Sequence, residues 1–347
     1  MTEKHKTQSK NKSDFPLWEP DKDLTISSFK SSKTSDSRPP LSVDSENDGW
    51  SILQTFKRGQ NNLILAALNQ GVDAIELALE SADSDEFNQL MKGVKAEMIS
   101  LHLNCSNGSA LVESFHTLRA YLIKKNIDIH FVEGSLRYVG QQPFSWLAKD
   151  INEAMPRFSF YYFESSDAKT VRGHVEQLGD LFINLLRTLE NAPFEPEQVL
   201  KKSIFRIHTG NDFLTEVAKI RAFYRIWDLI LNELDLDHFL PDMEVSVAPE
   251  AFGGDLYFNL IRSTSAAVSA AISGGTKIHL PFIETNQKNA PNNTVAFLSR
   301  MHANILHLIQ HESHLHRVSD PLAGSYLIEE LTDKLAERIW EKVRENF

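Results

Sequence analysis

Eight short apolar segments alternate with longer amphipathic segments through most of this chain, and this alternation constrains its fold more than any other feature. We predict strands at 50–55, 74–79, 97–103, 127–132, 158–163, 203–208, 244–247 and 277–280. We predict helices between them at 60–69, 84–92, 109–124, 145–154, 169–191, 212–233 and 257–272. Because such alternation requires right-handed parallel crossovers, eight units close into a (β/α)8 barrel, a TIM barrel. A doubly wound open sheet is the alternative.

Two regions flank the predicted barrel at 49–285. We expect residues 1–48 to form a polar, flexible N-terminal tail, because its few apolar side chains cannot offset the entropy of ordering it. Residues 286–347 form a C-terminal helical extension packing on the barrel, with helices at 294–311 and 328–345. The last helix carries an apolar face and therefore needs a surface to pack on. No clear stop signal precedes Phe347, which is compatible with a truncated chain.

Composition disfavours several functional classes. The chain has 36 basic and 47 acidic residues and a net charge of −11, which opposes binding to nucleic acid or to an anionic membrane. The sequence contains no apolar run long enough to span a bilayer. Cys105 is the single cysteine and cannot form an internal disulfide, and residues 1–14 lack the apolar core of a signal peptide. We therefore expect a cytoplasmic protein.

Histidines near the C-terminus are the strongest candidates for a metal site. His307 and His311 have the i, i+4 spacing of zinc ligand pairs, but Leu308 stands where a catalytic glutamate would be expected. We predict no metal site and interpret the cluster as a partly solvated helix end. Among the acidic residues, Glu76 and Glu80 are expected to face solvent or a loop. The cluster comprises His302, His307, His311, His314 and His316.

Four segments between residues 49 and 332 carry a family resemblance. They are Gly49-Trp-Ser-Ile-Leu-Gln54, Gln70-Gly-Val-Asp-Ala-Ile-Glu76, FLTEVAKIRA at 213–222, and DLYFNLIR at 255–262. The last segment resembles the family pattern D-P-Y-N-N-x-x-R, and the later SDPLAGSY at 319–326 resembles a conserved turn of the same family. Together they are similar to the adenosylcobalamin-dependent acyl-CoA mutases, the methylmalonyl-CoA mutase family above all. The matching scaffold positions are Asp255, Tyr257, Asn259 and Arg262.

Positions that touch substrate in that family have changed in this chain. The family's Tyr-His pair falls on Tyr161 and Tyr162, and a phenol cannot replace an imidazole near neutral pH. A family arginine falls on Lys202, and on Arg206 only if a deletion is assumed. Another becomes Leu53, and the N-terminal region that threads coenzyme A through the barrel has no counterpart. No catalytic residue is predicted, and the degenerate substrate-site positions are Tyr161, Tyr162, Lys202 and His279.

The segment from Asp128 to Gly134 nearly matches D-x-H-x-x-G, the motif by which a cobalamin domain presents histidine to cobalt. Its glycine comes one place late, and the segment lies where a strand is predicted. We therefore expect His130 to be a strand residue and not a cobalt ligand. The resemblance implies that adenosylcobalamin is held by a partner subunit.

The resemblance implies the small subunit of a heterodimeric methylmalonyl-CoA mutase, an isomerase that interconverts methylmalonyl-CoA and succinyl-CoA. This chain would be non-catalytic and would stabilise the large subunit through the apolar faces of its last helices and its N-terminal tail. A coenzyme A thioester is a further candidate partner. One alternative is an active acyl-CoA isomerase barrel completed by a separate cobalamin-binding subunit, which requires the four degenerate positions to converge. Another is an unrelated barrel enzyme such as an aldolase or a phosphate-binding isomerase.

Overall fold

The structure is a computed structural model that describes residues 49–80, 83–138, 143–165, 173–282 and 294–347, together with the backbone of residues 17–21 and 24–27. The two N-terminal segments are β1 (Leu17–Asp21) and β2 (Leu24–Ser27), which pair in antiparallel orientation. This pairing lies within the stretch predicted to be a polar tail, and its alternation is too short to be recognised in the sequence.

A second sheet within the described residues contains nine parallel strands in the order β7-β6-β5-β4-β3-β11-β10-β9-β8. Only Phe160 separates β7 from β8 in the chain, so the two edges of the sheet belong to one segment and the sheet closes as an eight-membered barrel. The predicted (β/α)8 fold is confirmed. The strands are β3 (Ser51–Phe56), β4 (Ala74–Leu79), β5 (Ser100–Cys105), β6 (Glu133–Tyr138), β7 (Phe158–Ser159), β8 (Tyr161–Glu164), β9 (Ser203–Thr209), β10 (Asp242–Val247) and β11 (Lys277–His279).

Helices cover the outside of the barrel, and most begin close to their predicted positions. Short side chains cap several of them: Asp83 accepts hydrogen bonds from two backbone amides of α2, and Asn107 accepts one from α3. The short α6 was not predicted. The helices are α1 (Asn61–Leu68), α2 (Ser84–Leu90), α3 (Gly108–Lys124), α4 (Ser145–Ala154), α5 (His174–Asn191), α6 (Pro196–Lys201), α7 (Phe213–Glu233), α8 (Leu256–Ile272), α9 (Thr294–His307) and α10 (Tyr326–Asn346).

The fourth barrel strand lies later in the chain than predicted. The segment expected as a strand at 127–132 contains a 3-10 turn from Ile129 to Phe131, because the Asp128 side chain accepts a hydrogen bond from the amide of His130. The actual strand, β6, contains Gly134 at φ 150°, where a Cβ would lie 1.7 Å from the Leu101 carbonyl oxygen. The prediction that His130 is a strand residue was also wrong.

The C-terminal helices bury their apolar faces within this chain. The α10 helix contacts α5 and α7, while α9 contacts α1 and α8. The α10 residues that form the contact are all at most 2% exposed. The expectation that these apolar faces serve as a docking surface for another protein was therefore wrong. The buried residues of α10 include Ile328, Leu331, Leu335, Ile339 and Val343.

Candidate functional site

The barrel strands point apolar side chains outward and polar side chains inward. On β4, Ile75 and Leu77 belong to the apolar core beneath the helices, whereas Glu76 between them faces the barrel axis. On β9, Phe205 belongs to the same core, and Arg206 faces inward. Most barrels of this class fill their interior with branched apolar residues, so a polar interior requires its own pairing arrangement.

Two arginines and two glutamates pair in the centre of the barrel. Arg137 Nη1 donates to Glu76 Oε2 at 2.6 Å and to Glu244 Oε2 at 2.9 Å, and its Nη2 donates to Glu244 Oε1. Arg206 Nε donates to Glu244 Oε2 at 3.1 Å, and its guanidinium also contacts both carboxylate oxygens of Glu76. We refer to Glu76, Arg137, Arg206 and Glu244 as the interior charge cluster. Its formal charges sum to zero.

The interior charge cluster crosses the barrel axis. In the closed ring, β4 and β9 are four positions apart in either direction and therefore lie opposite each other. Arg206 on β9 nevertheless reaches Glu76 on β4, with Nη1 and Oε1 3.5 Å apart. A hydrogen bond between opposite strands occupies the centre of the barrel, so no ligand can pass along the axis at this level.

Burial and charge act against each other on the two carboxylates. Burial raises the pKa of Glu76, but the neighbouring Arg206 and Arg137 outweigh it and hold the pKa well below its usual range. Burial likewise raises the pKa of Glu244, and Arg137 and Arg206 again lower it overall. Both groups are therefore ionised and paired near neutral pH. The expectation that Glu76 faces solvent or a loop was wrong, because it is 2% exposed.

Two neutral histidines complete the interior. The two His279 ring nitrogens lie 2.8 Å from Ser246 Oγ and 3.1 Å from Thr55 Oγ1, and burial, with Arg206 nearby, lowers its pKa to about 3. His102 lies between Ser100 and Ser135, at 3.0 and 2.8 Å, and burial together with Arg137 lowers its pKa well below the usual value. Both imidazoles are therefore neutral near pH 7 and add no charge to the interior.

Tyr162 covers the charge cluster on one side. Its ring centroid lies 5.2 Å from the Arg137 guanidinium and 5.8 Å from that of Arg206, distances at which a cation interacts with an aromatic ring. Its hydroxyl is buried and has no hydrogen-bond partner among the described residues. Burial raises the pKa of Tyr162 well above its usual value. This phenol is therefore protonated and cannot serve as a base near neutral pH.

The four degenerate substrate-site positions do not converge. Tyr162 and His279 lie in the barrel interior, as described above. Tyr161 points outward, its ring 4.9 Å from that of Phe160 in the apolar core, and burial raises its pKa to about 12. Lys202 precedes β9 at the opposite end of the barrel from the strand C-termini, where its Nζ donates to the Pro156 carbonyl. Burial lowers the pKa of Lys202.

The scaffold positions at the start of α8 hold the preceding loop. Asp255 caps the helix by accepting a hydrogen bond from the Phe258 amide at 2.9 Å. The Asn259 side chain binds both the amide and the carbonyl of Gly253, at 2.9 and 2.8 Å. Arg262 donates to the Asn259 Oδ1 at 3.3 Å. Tyr257 is 57% exposed and contributes no such contact.

Two other segments of the resemblance meet in space. Arg221 on α7 forms an ion pair with Asp320, and its Nη2 donates to Glu329 Oε1 of α10 at 2.7 Å. Both side chains of the first pair are 1% exposed. The FLTEVAKIRA segment therefore binds the SDPLAGSY segment through Asp320 and the first turn of α10 through Glu329. These family motifs stabilise the scaffold and do not line a site.

Histidines and acidic residues do not assemble a metal site in the described part of the chain. No group of three or more His, Cys, Asp or Glu side chains there could hold a metal ion. His302 is buried against the Leu280 carbonyl at 3.0 Å, and His307 lies 2.8 Å from the Gln70 carbonyl. The rings of His307 and His311 stack, with centroids 5.7 Å apart. The carbonyl contacts of His302 and His307 nevertheless direct these two rings toward the backbone.

The structure places His130, the histidine of the near match to D-x-H-x-x-G, away from the strand C-termini. His130 lies on an exposed turn at the N-terminal end of the strands, and its Nδ1 is 2.9 Å from Asp128 Oδ1. Reaction sites in such barrels lie at the opposite end, at the strand C-termini. His130 therefore does not fit the role of a ligand for a cofactor at that end.

Among the described helices, none has the length and apolar character required to cross a bilayer.

The sequence interpretation missed all four members of the charge cluster as a group. The available signal was a charged residue embedded in an apolar strand on four separate occasions, as in IFRIH at 204–208 and MEVSV at 243–247. Arg206 was weighed only as a match for a family arginine, and Glu76 only as a surface residue. An embedded charge on each of several barrel strands indicates a paired polar interior.

Comparison with known proteins gives concordant matches. A family model described as methylmalonyl-CoA mutase matches residues 182–345. The methylmalonyl-CoA mutase small subunit of Porphyromonas gingivalis is 26% identical over 84% of this chain and 51% of its own length. That of Streptomyces virginiae is 30% identical over 86% of this chain and 51% of its own length. A methylmalonyl-CoA mutase of Cereibacter sphaeroides is 27% identical over 66% of this chain and 32% of its own length. The chain spans about half the length of the small subunits that it matches.

Proposed function

The chain belongs to the methylmalonyl-CoA mutase family, and from this premise we propose that it is a non-catalytic small subunit that binds and stabilises a catalytic large subunit. One observation carries the proposal. The interior charge cluster occupies the barrel axis with side chains that satisfy one another. A barrel that bound substrate there would need free space along the axis.

The reaction proposed for the complex also supports placing substrate binding on the partner subunit. We propose that the complex interconverts methylmalonyl-CoA and succinyl-CoA, both of which carry the long coenzyme A chain. Admitting such a ligand to the axis would require separating Arg206 from Glu76 and leaving buried charges without partners, which costs several kcal/mol. The partner subunit would therefore bind the thioester.

Adenosylcobalamin is also assigned to the partner in this proposal. When bound there, it supplies the radical chemistry of the family's reaction. This chain's contribution is structural, because His130 is placed at the wrong end of the barrel and is held by Asp128. We further propose a cytoplasmic location, since Cys105 is the single cysteine and the chain cannot form an internal disulfide.

An active acyl-CoA isomerase barrel is the second candidate, and the geometry disfavours it. That candidate needs Tyr161, Tyr162, Lys202 and His279 in one pocket. Tyr161 faces the outer apolar core and Lys202 lies at the N-terminal end of the strands. The remaining two reach an interior that is already filled by the charge cluster.

Co-expression with a methylmalonyl-CoA mutase large subunit tests the proposal. The two chains should copurify, the large subunit should be less stable without this chain, and this chain alone should not convert methylmalonyl-CoA when supplied with adenosylcobalamin. Turnover by this chain alone would contradict its non-catalytic role. Failure to copurify would contradict the partnership.

A further inference from the structure

Three of the four most exposed large apolar side chains in the described residues lie at one end of the barrel. Met98 is 70% exposed, Ile123 61% and Phe131 59%. Met98 and Phe131 precede the adjacent strands β5 and β6, and Ile123 lies in the last turn of α3, which contacts the turn holding Phe131. Clustered exposed apolar side chains on a soluble domain mark an interaction site.

Exposed lysines surround these apolar residues. The ends of α2 and α3 are joined because the Tyr121 hydroxyl donates to the Met91 carbonyl at 3.1 Å. The ammonium group of Lys125 lies 5.8 Å from the centroid of the Tyr121 ring. The four exposed lysines at these two helix ends are Lys92, Lys95, Lys124 and Lys125. Together with Met98, Ile123 and Phe131 they form a surface that we call the basic corner.

Positive charge is left uncompensated at the basic corner. Of the acidic residues nearby, Glu133 is paired with Arg157 at 3.0 Å and Asp128 with His130 at 2.9 Å. Glu97 forms no ion pair among the described residues, and its charge adds to burial in raising the pKa of Tyr121. No ion pair within the described part of the chain engages any of the four lysines. The basic corner is therefore a positively charged surface on a chain whose net charge is −11.

We propose that the basic corner is the surface on which this chain docks its partner subunit, and that the facing surface of the partner is acidic around an apolar centre. The inference rests on the proposed function, because it takes the large subunit as the occupant. Opposite charges around an apolar centre steer association and fix its orientation. The apolar faces of α9 and α10 are buried within this chain and are not available for the same role.

An anionic membrane is a weaker match to this surface. Membrane-binding clusters use an uninterrupted group of basic residues. Here the lysines are interspersed with the carboxylates of Glu97, Asp128 and Glu133, and the rest of the chain is repelled by anionic lipid. A protein surface with carboxylates placed opposite individual lysines fits this mixed pattern better.

Charge reversal tests the docking surface. The double variant Lys92→Glu/Lys124→Glu changes the corner, and Lys57→Glu/Lys149→Glu makes the same charge change at two exposed lysines elsewhere. Binding of each full chain to the large subunit is measured by titration calorimetry at about 0.05 M and about 0.3 M salt, where screening differs strongly. We expect the corner variant to raise the Kd at least about tenfold at low salt, the control to change it less than about threefold, and salt to weaken wild-type binding more than binding of the corner variant.

The outcomes separate this inference from the proposed function. A wild-type chain that does not bind the large subunit contradicts both. If the wild-type chain binds the large subunit and the corner variant binds it as tightly as the control variant does, only the docking surface is contradicted. Cosedimentation with phosphatidylserine vesicles provides the other arm: wild-type binding to these vesicles that is lost in the corner variant would assign the corner to a membrane and overturn the inference.

Discussion

Arg206 and Glu76 lie on opposite strands of the barrel and are hydrogen-bonded across its axis. Each is also tied to a second member of the charge cluster, Arg206 to Glu244 and Glu76 to Arg137. The four side chains come from four strands, so they hold the barrel together from within. Apolar residues perform this role in most barrels of this class.

Removing one charge from the cluster should destabilise the chain strongly. Glu244→Gln leaves two buried arginines facing one carboxylate, and we expect a loss of about 3–5 kcal/mol in the free energy of unfolding. Urea unfolding followed by circular dichroism measures it. Glu197→Gln is the matched control, because Glu197 pairs with Lys201 at 2.6 Å on the surface and should contribute less than about 1 kcal/mol. Equal effects of the two variants would contradict the pairing described for the interior.

The unpartnered hydroxyl of Tyr162 predicts the opposite effect. Tyr162→Phe keeps the ring over the two arginines and removes a buried hydroxyl that makes no hydrogen bond among the described residues, so stability should stay the same or rise by about 1 kcal/mol. Tyr121→Phe removes a hydroxyl that donates to the Met91 carbonyl and should cost about 1 kcal/mol. Thermal unfolding of both variants is the measurement. A loss of stability in Tyr162→Phe comparable to that in Tyr121→Phe would show that the Tyr162 hydroxyl has a partner.

Buried neutral histidines should make the fold sensitive to acid. Burial lowers the pKa of His302 from 6.5 to about 4, and that of His279 to about 3. As the pH falls below 6.5, the unfolded chain therefore takes up protons that the folded chain does not, and the free energy of unfolding falls. Each such histidine contributes up to about 1.4 kcal/mol per pH unit.

A single variant isolates one of these protons. In His302→Gln, stability between pH 6.5 and pH 4 should fall less steeply than in the wild type, by up to about 1.4 kcal/mol per pH unit. Urea unfolding at several pH values in that window measures the slope. An unchanged slope in His302→Gln would contradict a neutral buried His302.

The pair between Arg221 and Asp320 should control the attachment of α10. Asp320 has φ 44°, a conformation that asparagine also tolerates, so Asp320→Asn removes the charge with little backbone strain. We expect a loss of about 1.5–3 kcal/mol, since Arg221 loses one buried charged partner and keeps Glu329. In Asp320→Asn, hydrogen exchange should accelerate more across 326–346 than across α3, each relative to the wild type. Unchanged protection of α10 would contradict this attachment.

The alternation of apolar segments was sufficient to predict the closed barrel and most element positions. The β4 and α4 elements lie at their predicted bounds, because an apolar strand flanked by a turn and an amphipathic helix are local patterns. The fourth strand was misplaced because the turn at Asp128 depends on a side-chain hydrogen bond, and because Gly134 and Arg137 interrupt the apolar pattern of the strand that follows.

The pairing within the interior charge cluster could not be predicted from the sequence. Sequence indicates which residues alternate on a strand, but the pairing of Glu76 with Arg206 depends on how the closed ring brings opposite strands together. The resemblance located the family and its changed substrate positions. It did not reveal that Tyr161 faces the outer apolar core, because consecutive residues of a strand point to opposite faces of the sheet. Nor did it reveal that Lys202 lies at the N-terminal end of the strands.

Binding of succinyl-CoA to the isolated chain tests the closed interior most directly. Titration calorimetry on the wild-type chain should show no binding up to about 1 mM ligand, because the interior charge cluster fills the axis and its charged groups are already paired with one another. Stoichiometric binding of succinyl-CoA that is abolished by a bulky substitution on the inner face, such as Ser246→Trp, would place the ligand in the barrel and contradict the account.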